Sequence, residues 1–366
     1  MAGELRQRSR TAAKPDSRET EKMIRDIQKN YGSHVITAAG QKARFKHLQT
    51  GIFTLDMALL GGLPEGLTTM IYGWESSGKT TLATMCAGRM QKRHPGSQIV
   101  YLDIEGTFDS LWAAKHGVDN DNLLLVQPET GEMALDIAEA AISASDCSLL
   151  VVDSLAMITP FKEVDSSVED DFVGLQPRLI GKFLRKITAV LMKERARGHW
   201  PIIILINQWR NKIGVFRGDP RILPGGNAIK YAHSVGIEIK NREILGRDQN
   251  DNETVEKNIH SFEIRKSKIG TSLRNGEFEM IRNPANPLGE GFIDDAGTVV
   301  AFGRRMGQIV GEGGSHKTVN GLDEKFKTFD EIADYFYANM DFFEDFKNRL
   351  IGMQRAQYML NPEGWY

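Results

Sequence analysis

The sequence predicts an α/β fold: a mostly parallel sheet flanked by helices, with a helix ahead of it and a small α+β domain behind. Three observations carry this expectation. Short apolar runs at residues 69–72, 99–102, 123–126, 149–152 and 202–206 are near-continuous, as strands covered on both faces must be. Stretches 80–93, 132–143 and 176–195 lie between such runs and are long and periodic enough to be crossover helices. The segment from Gly73 to Thr80, GWESSGKT, fits the phosphate-loop pattern GxxxxGK[ST] and sits between the first run and the first helix.

The remaining elements follow in chain order. Residues 1–15 are polar and basic without an apolar period and read as a mobile arm. Residues 16–44 form an N-terminal helix and linker for subunit contact: Asp16 and Glu19 resemble a helix-start capping pair, and Met23, Ile24 and Ile27 then fall on one face. The core spans 45–285. Residues 286–366 make the small C-terminal domain, Gly-rich through Gly314 and then one amphipathic helix over 329–353, whose Tyr335, Phe336, Tyr337, Phe342, Phe343 and Phe346 supply a helical core. No internal repeat is visible.

Composition narrows the function classes. The chain has 366 residues, 41% apolar and 26% charged, with net charge −2, so contact with nucleic acid must use a local patch. The two cysteines, Cys86 and Cys147, lie far apart with no CxxC or Cys/His cluster, which excludes a disulfide scaffold and a zinc site and suits a reducing cytoplasm. No apolar run approaches the length of about 20 residues that spans a bilayer, and the N-terminus lacks a secretory hydrophobic region. The expectation is a cytoplasmic protein with no membrane partner.

The phosphate loop is the strongest local signal. Gly73 and Gly78 permit backbone angles that a side chain obstructs, and the N–H groups of Glu75, Ser76 and Ser77 converge with a helix N-terminus on an anion. Lys79 reaches the terminal phosphates, and the Thr80 hydroxyl, with Thr81 beside it, can ligate magnesium. Asp153 ends the run 149–152, where a carboxylate at the carboxyl edge of a sheet completes the magnesium shell. Glu105 follows the run 99–102 and can orient or deprotonate an attacking water; Asp103 competes for that role. A turn or helix-cap carboxylate is the plainer reading of each.

Further strings go beyond this chemistry. TGIFTLDMALLGGLPEG, YGWESSGKTTL, DIEGTFD, HGVDNDNLL, QPETGEMALDI, VVDS, INQWRNKIG, PGGNAIKY and RKSKIG, spread from Thr50 to Ile269, resemble the bacterial RecA strand-exchange recombinases and their phage-borne relatives. The resemblance implies a RecA-like ATPase core, with ATP and Mg2+ as cofactors. It further implies an ATP-dependent homologous recombinase that forms a helical filament on single-stranded DNA, pairs it with homologous double-stranded DNA and exchanges strands. Single-strand-binding and loader proteins are the implied helpers. By position, Glu105 matches the family's water-activating glutamate and Asp153 its magnesium-associated aspartate. Asp109 and Trp112 match the pair that recognises and stacks on adenine, with Trp112 in place of the expected tyrosine. Gln208 matches the glutamine that senses the terminal phosphate and relays it to the DNA loop. Lys266 and Lys268 match lysines that reach the neighbouring subunit's nucleotide; two apart on an extended segment, they share one face.

Two segments are DNA-facing in this reading. Residues 209–230 place Arg210, Lys212, Arg217 and Arg221 among Trp209, Asn211, Ile213, Val215 and Phe216, with Asp219 the only acid. Basic groups mixed with apolar and aromatic ones suit a single strand, and the loop is expected to be disordered without DNA. From the resemblance, Ile213 separates base triplets, and Gly225, Gly226 and Asn227 present donors to phosphates. The earlier segment, 161–174, ends in Val173 and Gly174, which match DNA-contacting positions. It is nevertheless acidic through Glu163, Asp165, Glu169, Asp170 and Asp171, with Lys162 the one offset. Arg178 and Arg185, seven apart on the next helix, share a face and carry more weight than the loop tip. Residues 322–366 hold nine acids and five bases, so no long acidic tail is present in this sequence.

Two alternatives stand beside the recombinase. One is a ring-forming motor on the same ATPase core, helicase-like or branch-migrating; the amphipathic N-terminal helix favours an open head-to-tail chain instead. The other is a nucleotide-dependent regulator that binds protein, against which the basic and aromatic content of 209–221 argues.

Overall fold

The computed structural model describes residues 17–32, 45–165, 174–212, 218–247, 252–270, 274–311 and 316–360. Two compact units result, one holding the N-terminal helix together with Ala196–Gly198 and the other holding the rest from Phe45 onward. In the first, helix α1 (Ser17–Tyr31) carries Met23, Ile24 and Ile27 at helical spacing and an exposed pair one turn apart, Arg25 and Glu21 at 3.5 Å. The capping residue expected at Asp16 lies outside the described residues.

The second unit opens with an antiparallel pair, β1 (His47–Leu48) and β2 (Leu63–Pro64), around α2 (Phe53–Ala58). Alternation follows: β3 (Thr68–Gly73), α3 (Lys79–Arg93), β4 (Gln98–Asp103), α4 (Ser110–Lys115), β5 (Leu123–Val126), α5 (Gly131–Ser143), β6 (Cys147–Asp153), α6 (Phe161–Val164), α7 (Leu175–Ala196) and β7 (Ile202–Gln208). A small hairpin, β8 (Arg210–Asn211) with β9 (Arg221–Ile222), and α8 (Asn227–Ala232) lead to β10 (Val235–Arg247), β11 (Glu253–Ser267), β12 (Asn275–Ile281) and β13 (Ile293–Asp294). One sheet of nine strands results, in the order β13-β12-β11-β10-β3-β7-β6-β4-β5. The six strands from β10 to β5 are parallel; β11, β12 and β13 form an antiparallel wing.

Alternate side chains of the central strands go to opposite faces. Ile71, Ile204 and Ile206 join Leu82, Ala83 and Cys86 of α3 on one side; Met70, Ile203 and Leu205 join Ala138 of α5 and Phe183 of α7 on the other. Four of the five apolar runs are buried as two-sided strands. The fifth, β5, is not: it is the sheet edge, and Leu124 and Leu125 are 49% and 39% exposed.

A third core joins Phe53 and Met57 of α2 to the chain after the sheet: α9 (Ala296–Arg305), the ladder β14 (Ile309–Val310), β15 (Lys317–Val319) and β16 (Lys325–Phe326), and two helices. The expected single helix over 329–353 is broken into α10 (Phe329–Ala338) and α11 (Met340–Leu360). Asn339 leaves helical angles (φ −132, ψ 64) and its side-chain amide caps the Tyr335 carbonyl at 2.9 Å, so the aromatic cluster closes as a helical hairpin. Phe336 stacks on Phe343 at 4.8 Å across that turn. Among the described residues, no helix is long and apolar enough to cross a membrane.

Candidate functional site

The carboxyl ends of three parallel strands, β3, β4 and β7, converge on one cleft of about 430 Å³, and β6, between β7 and β4, ends behind it at Asp153. The loop from Gly73 to Thr80 leaves β3 and enters α3 through Gly78, whose φ of 92° is left-handed. A Cβ at Gly78 would lie 2.7 Å from the His260 ring, and one at Gly73 would overlap the Ile239 carbonyl oxygen, so both positions require glycine. Glu75, Ser76, Ser77, Lys79, Thr80 and Thr81 all line the cleft. Lys79 is 5% exposed, and its Nζ donates to the Trp74 carbonyl at 2.6 Å and weakly to Ser77 Oγ at 3.4 Å. Burial lowers its pKa, opposed by Asp153, Glu105 and Glu75.

The two acids separate cleanly by environment. Asp153 Oδ2 accepts from Thr80 Oγ1 and from the Tyr101 hydroxyl, each at 2.8 Å. Burial pushes its carboxyl up to about 6, and Glu105 and Asp103 add to that rise while the two hydrogen bonds oppose it. A hydroxyl and a carboxylate side by side at the loop are all-oxygen chemistry, which fits a hard divalent cation such as Mg2+. Glu105 lines the cleft, and its Oε1 accepts from Ser154 Oγ at 2.6 Å and from Gln208 Nε2 at 2.7 Å. Asp103, its competitor, is consumed by structure: it accepts from the backbone of Thr107 and Phe108 and from Gln127, at 3.0–3.1 Å. Gln208 Oε1 in turn accepts from Arg210 at 2.9 Å, so an unbroken chain of hydrogen bonds runs from Ser154 through Glu105 and Gln208 to the hairpin β8–β9.

Asp109 and Trp112 behave differently from their expected partnership. Asp109 Oδ1 caps α4, accepting from the N–H groups of Leu111 and Trp112 at 2.9 and 3.0 Å. Trp112 donates to Thr81 Oγ1 at 3.1 Å but does not line the cleft. Lys266 and Lys268 are also outside it. Lys266 is in register with Gly236, which is in register with Met70, and Lys268 is bonded through Ser234 to Thr68, so both sit towards the start of β3, away from the loop. Lys266 Nζ donates to the Lys230 carbonyl near the end of α8 at 2.6 Å.

Of the DNA-facing residues, Val173, Ile213 and Phe216 lie outside the described residues. The segment after β7 is not wholly irregular: β8 and β9 pair, and Lys212 donates to Pro220, giving the loop an ordered base. Arg210, Asn211 and Lys212 are exposed there, as are Arg178 and Arg185 on α7. Gly174 starts the turn into α7, and Gly225, Gly226 and Asn227 open α8. Trp209 turns inward, edge-on to Tyr72 at 5.3 Å and beneath the Arg221 guanidinium at 5.0 Å. Arg221 is held by Asp219 at 2.7 Å and by buried Glu238 at 2.9 Å, and Glu238 also takes Arg265 at 2.8 Å.

The sequence reading missed the far wall of the cleft: Asn241, Glu243, Asn258, His260, Met280 and Arg282 from the antiparallel wing. His260 Nδ1 contacts the Ser77 carbonyl at 3.1 Å and its ring stacks on Phe278 at 4.9 Å. Its Nε2, with Asn241 Oδ1 and Asn258 Oδ1, is enclosed without a hydrogen-bond partner among the described residues. The sequence signal for this wall is weak, since Asn258 and His260 share a strand face with Phe262 and Ile264, and that buried face mixes polar with apolar residues.

A phosphate loop between a parallel strand and a helix, with acids at the ends of the adjacent strands, defines a P-loop nucleotide-hydrolysing core. The RecA N-terminal domain profile matches residues 18–285. The chain is 38% identical to Protein RecA of Bacteroides thetaiotaomicron over 297 residues, 80% of this chain and 84% of that one. It is 34% identical to Protein RecA of Halalkalibacterium halodurans over 346 residues, 93% and 91% of the two chains. Protein RecA of Bartonella bacilliformis gives 38% over 290 residues, 78% of each. The chain belongs to the RecA family. It is a homologous recombinase and a DNA-dependent ATPase, and nucleotide binding, DNA binding and filament formation come with that membership.

Proposed function

We propose that the cleft binds ATP with Mg2+ and couples its hydrolysis to the grip on single-stranded DNA. The loop N–H groups and Lys79 hold the phosphates, and Thr80 and Asp153 hold the cation, which when bound neutralises charge on the phosphates. Glu105, fixed from both sides by Ser154 and Gln208, is the group that orients and accepts a proton from the attacking water. The observation that carries the reading is the chain from Glu105 through Gln208 to Arg210: the carboxylate at the chemistry and a cation at the hairpin share one amide. A change at the terminal phosphate that moves Gln208 therefore moves the base of the DNA loop.

Lys266 and Lys268 serve a neighbouring protomer's nucleotide, because their end of the sheet is remote from their own loop. Arg178, Arg185, Arg210, Asn211, Lys212 and the turn Gly225–Asn227 track the DNA backbone, with homologous duplex, single-strand-binding and loader proteins as further partners. Buried, free Cys86 and Cys147 suit a reducing cytoplasm. The test is ATP hydrolysis with and without single-stranded DNA, on the wild-type chain and Gln208→Ala. Stimulation in the wild type, lost in Gln208→Ala with ATP binding retained, is the expected result. A wild-type rate indifferent to DNA, or full stimulation of the variant, would overturn the coupling.

A further inference from the structure

On the buried face of β11, where Phe262 and Ile264 join the core, His260 places an imidazole that is 2% exposed. A buried ring nitrogen costs free energy unless it finds a partner. The ring stacks on Phe278, its neighbour across β12, with centres 4.9 Å apart. Nδ1 donates to the Ser77 carbonyl at 3.1 Å, and Nε2 has no partner among the described residues, so the loop carbonyl takes the ring's one hydrogen bond. A carbonyl only accepts, so Nδ1 is the nitrogen that carries the proton. β10 makes the same kind of contact one residue earlier, where Asn241 Nδ2 donates to the Ser76 carbonyl at 3.4 Å. Each pinned carbonyl adjoins a left-handed residue, Ser76 at φ 56° or Gly78 at φ 92°.

We propose that His260 is a positioning residue that fixes the direction of the Ser77–Gly78 peptide in the phosphate loop. The proposal rests on the reading of the loop as a triphosphate site and adds the group that keeps its donors aimed. Across a trans peptide the carbonyl oxygen and the next N–H point opposite ways. With the Ser77 oxygen held towards β11, the Gly78 N–H turns to the inside of the loop, where it donates to a phosphate oxygen. Glycine at 78 adopts either sign of φ, so the loop's own backbone does not choose between this orientation and its reverse. The reverse would aim a carbonyl at the anion. The bond from His260 makes the choice.

Two variants separate that hydrogen bond from the packing. His260→Phe keeps a ring against Phe278 but has no donor; His260→Asn keeps an N–H near the place of Nδ1 but loses the ring. Inorganic tripolyphosphate, which carries neither sugar nor base, is titrated into the wild-type chain and both variants by calorimetry, and thermal unfolding is followed without ligand. His260→Phe is expected to bind it about tenfold more weakly than the wild type, the scale of one lost hydrogen bond to a charged group, and His260→Asn within about threefold. Unfolding is expected to run the other way, with His260→Asn the less stable of the two. A role confined to packing cannot give this crossed order. Affinities that follow the order of stability overturn the proposal, as does wild-type affinity in His260→Phe or an affinity in His260→Asn no better than that of His260→Phe. Failure of the wild-type chain to bind either tripolyphosphate or a non-hydrolysable ATP analogue would overturn the triphosphate reading, and the role of His260 with it.

Discussion

Single side chains divide into those the sequence announces and those only folding brings in. Lys79, Thr80 and the glycines of the loop are legible because their chemistry depends on neighbours a few positions away, and the same holds for Asp153 at a strand end. Lys79→Ala is expected to abolish nucleotide binding in a calorimetric titration. Glu105→Gln is expected to keep binding but lower turnover by about 10²- to 10⁴-fold, checked by steady-state hydrolysis. The sequence favours Glu105 over Asp103, and the structure adds a physical reason, since Asp103 is occupied by the backbone N–H groups of Thr107 and Phe108. His260 and Arg282 were invisible because they reach the cleft from a wing more than 180 residues downstream of the loop. Glu238 was equally hidden. It is 3% exposed between Arg221 and Arg265, so Glu238→Leu leaves two cations facing each other; because Arg265 is 40% exposed, the expected loss is roughly 1–3 kcal/mol, below the figure for a fully buried pair. A urea midpoint equal to the wild type would rule that out.

At the level of elements, four of the five apolar runs and the three crossover helices were readable because a parallel sheet buried on both faces writes continuous hydrophobic strands, while β5 is apolar although it lies at the sheet edge. The antiparallel wing was not, since β10 is buried only over its first five residues, β11 alternates buried with half-buried positions, and both carry many charges. The break at Asn339 was missed for a local reason: aromatic periodicity continues across it, while one side-chain amide ends the helix. The hairpin β8–β9 was read as part of a disordered loop because two-residue strands leave no periodic signal. One tight contact between elements lies where β3 enters the phosphate loop beside β10. Gly73→Ala forces a methyl into the Ile239 carbonyl, and an expected destabilisation of about 1–3 kcal/mol accompanies weakened nucleotide binding. Thermal unfolding that matches the wild type would show that β10 can retreat without cost.

The whole molecule brings in charge balance and assembly. Burial lowers the pKa of His47, His116 and His233 to about 4 and also lowers that of His260, while it raises Asp56, Asp153 and Asp295 to about 6. The histidines contribute stability that is present above about 6.5 and lost as pH falls towards 4; the aspartates contribute stability present at low pH and lost as pH rises through about 6. The two trends oppose each other, so stability changes little between pH 6.5 and 4.5. Urea midpoints across that range test it, and a midpoint that shifts steeply in either direction would refute the balance. For assembly, Glu105→Gln and the double variant Lys266→Ala, Lys268→Ala should each be nearly inactive alone, yet their mixture should recover part of the DNA-stimulated rate. An intact cleft from one then meets intact lysines from the other. A mixture no faster than its components would place the lysines outside the shared site.

The imidazole of His260 wedged against Gly78 has a mechanical corollary. The anion cradle is held from the far half of the sheet as well as from its own strand, since the ring leaves no room for a Cβ at Gly78 and its Nδ1 meets the Ser77 carbonyl. Displacement of that wing therefore reaches the cradle, and closure of the cradle on its cargo pushes back outward along the same lever.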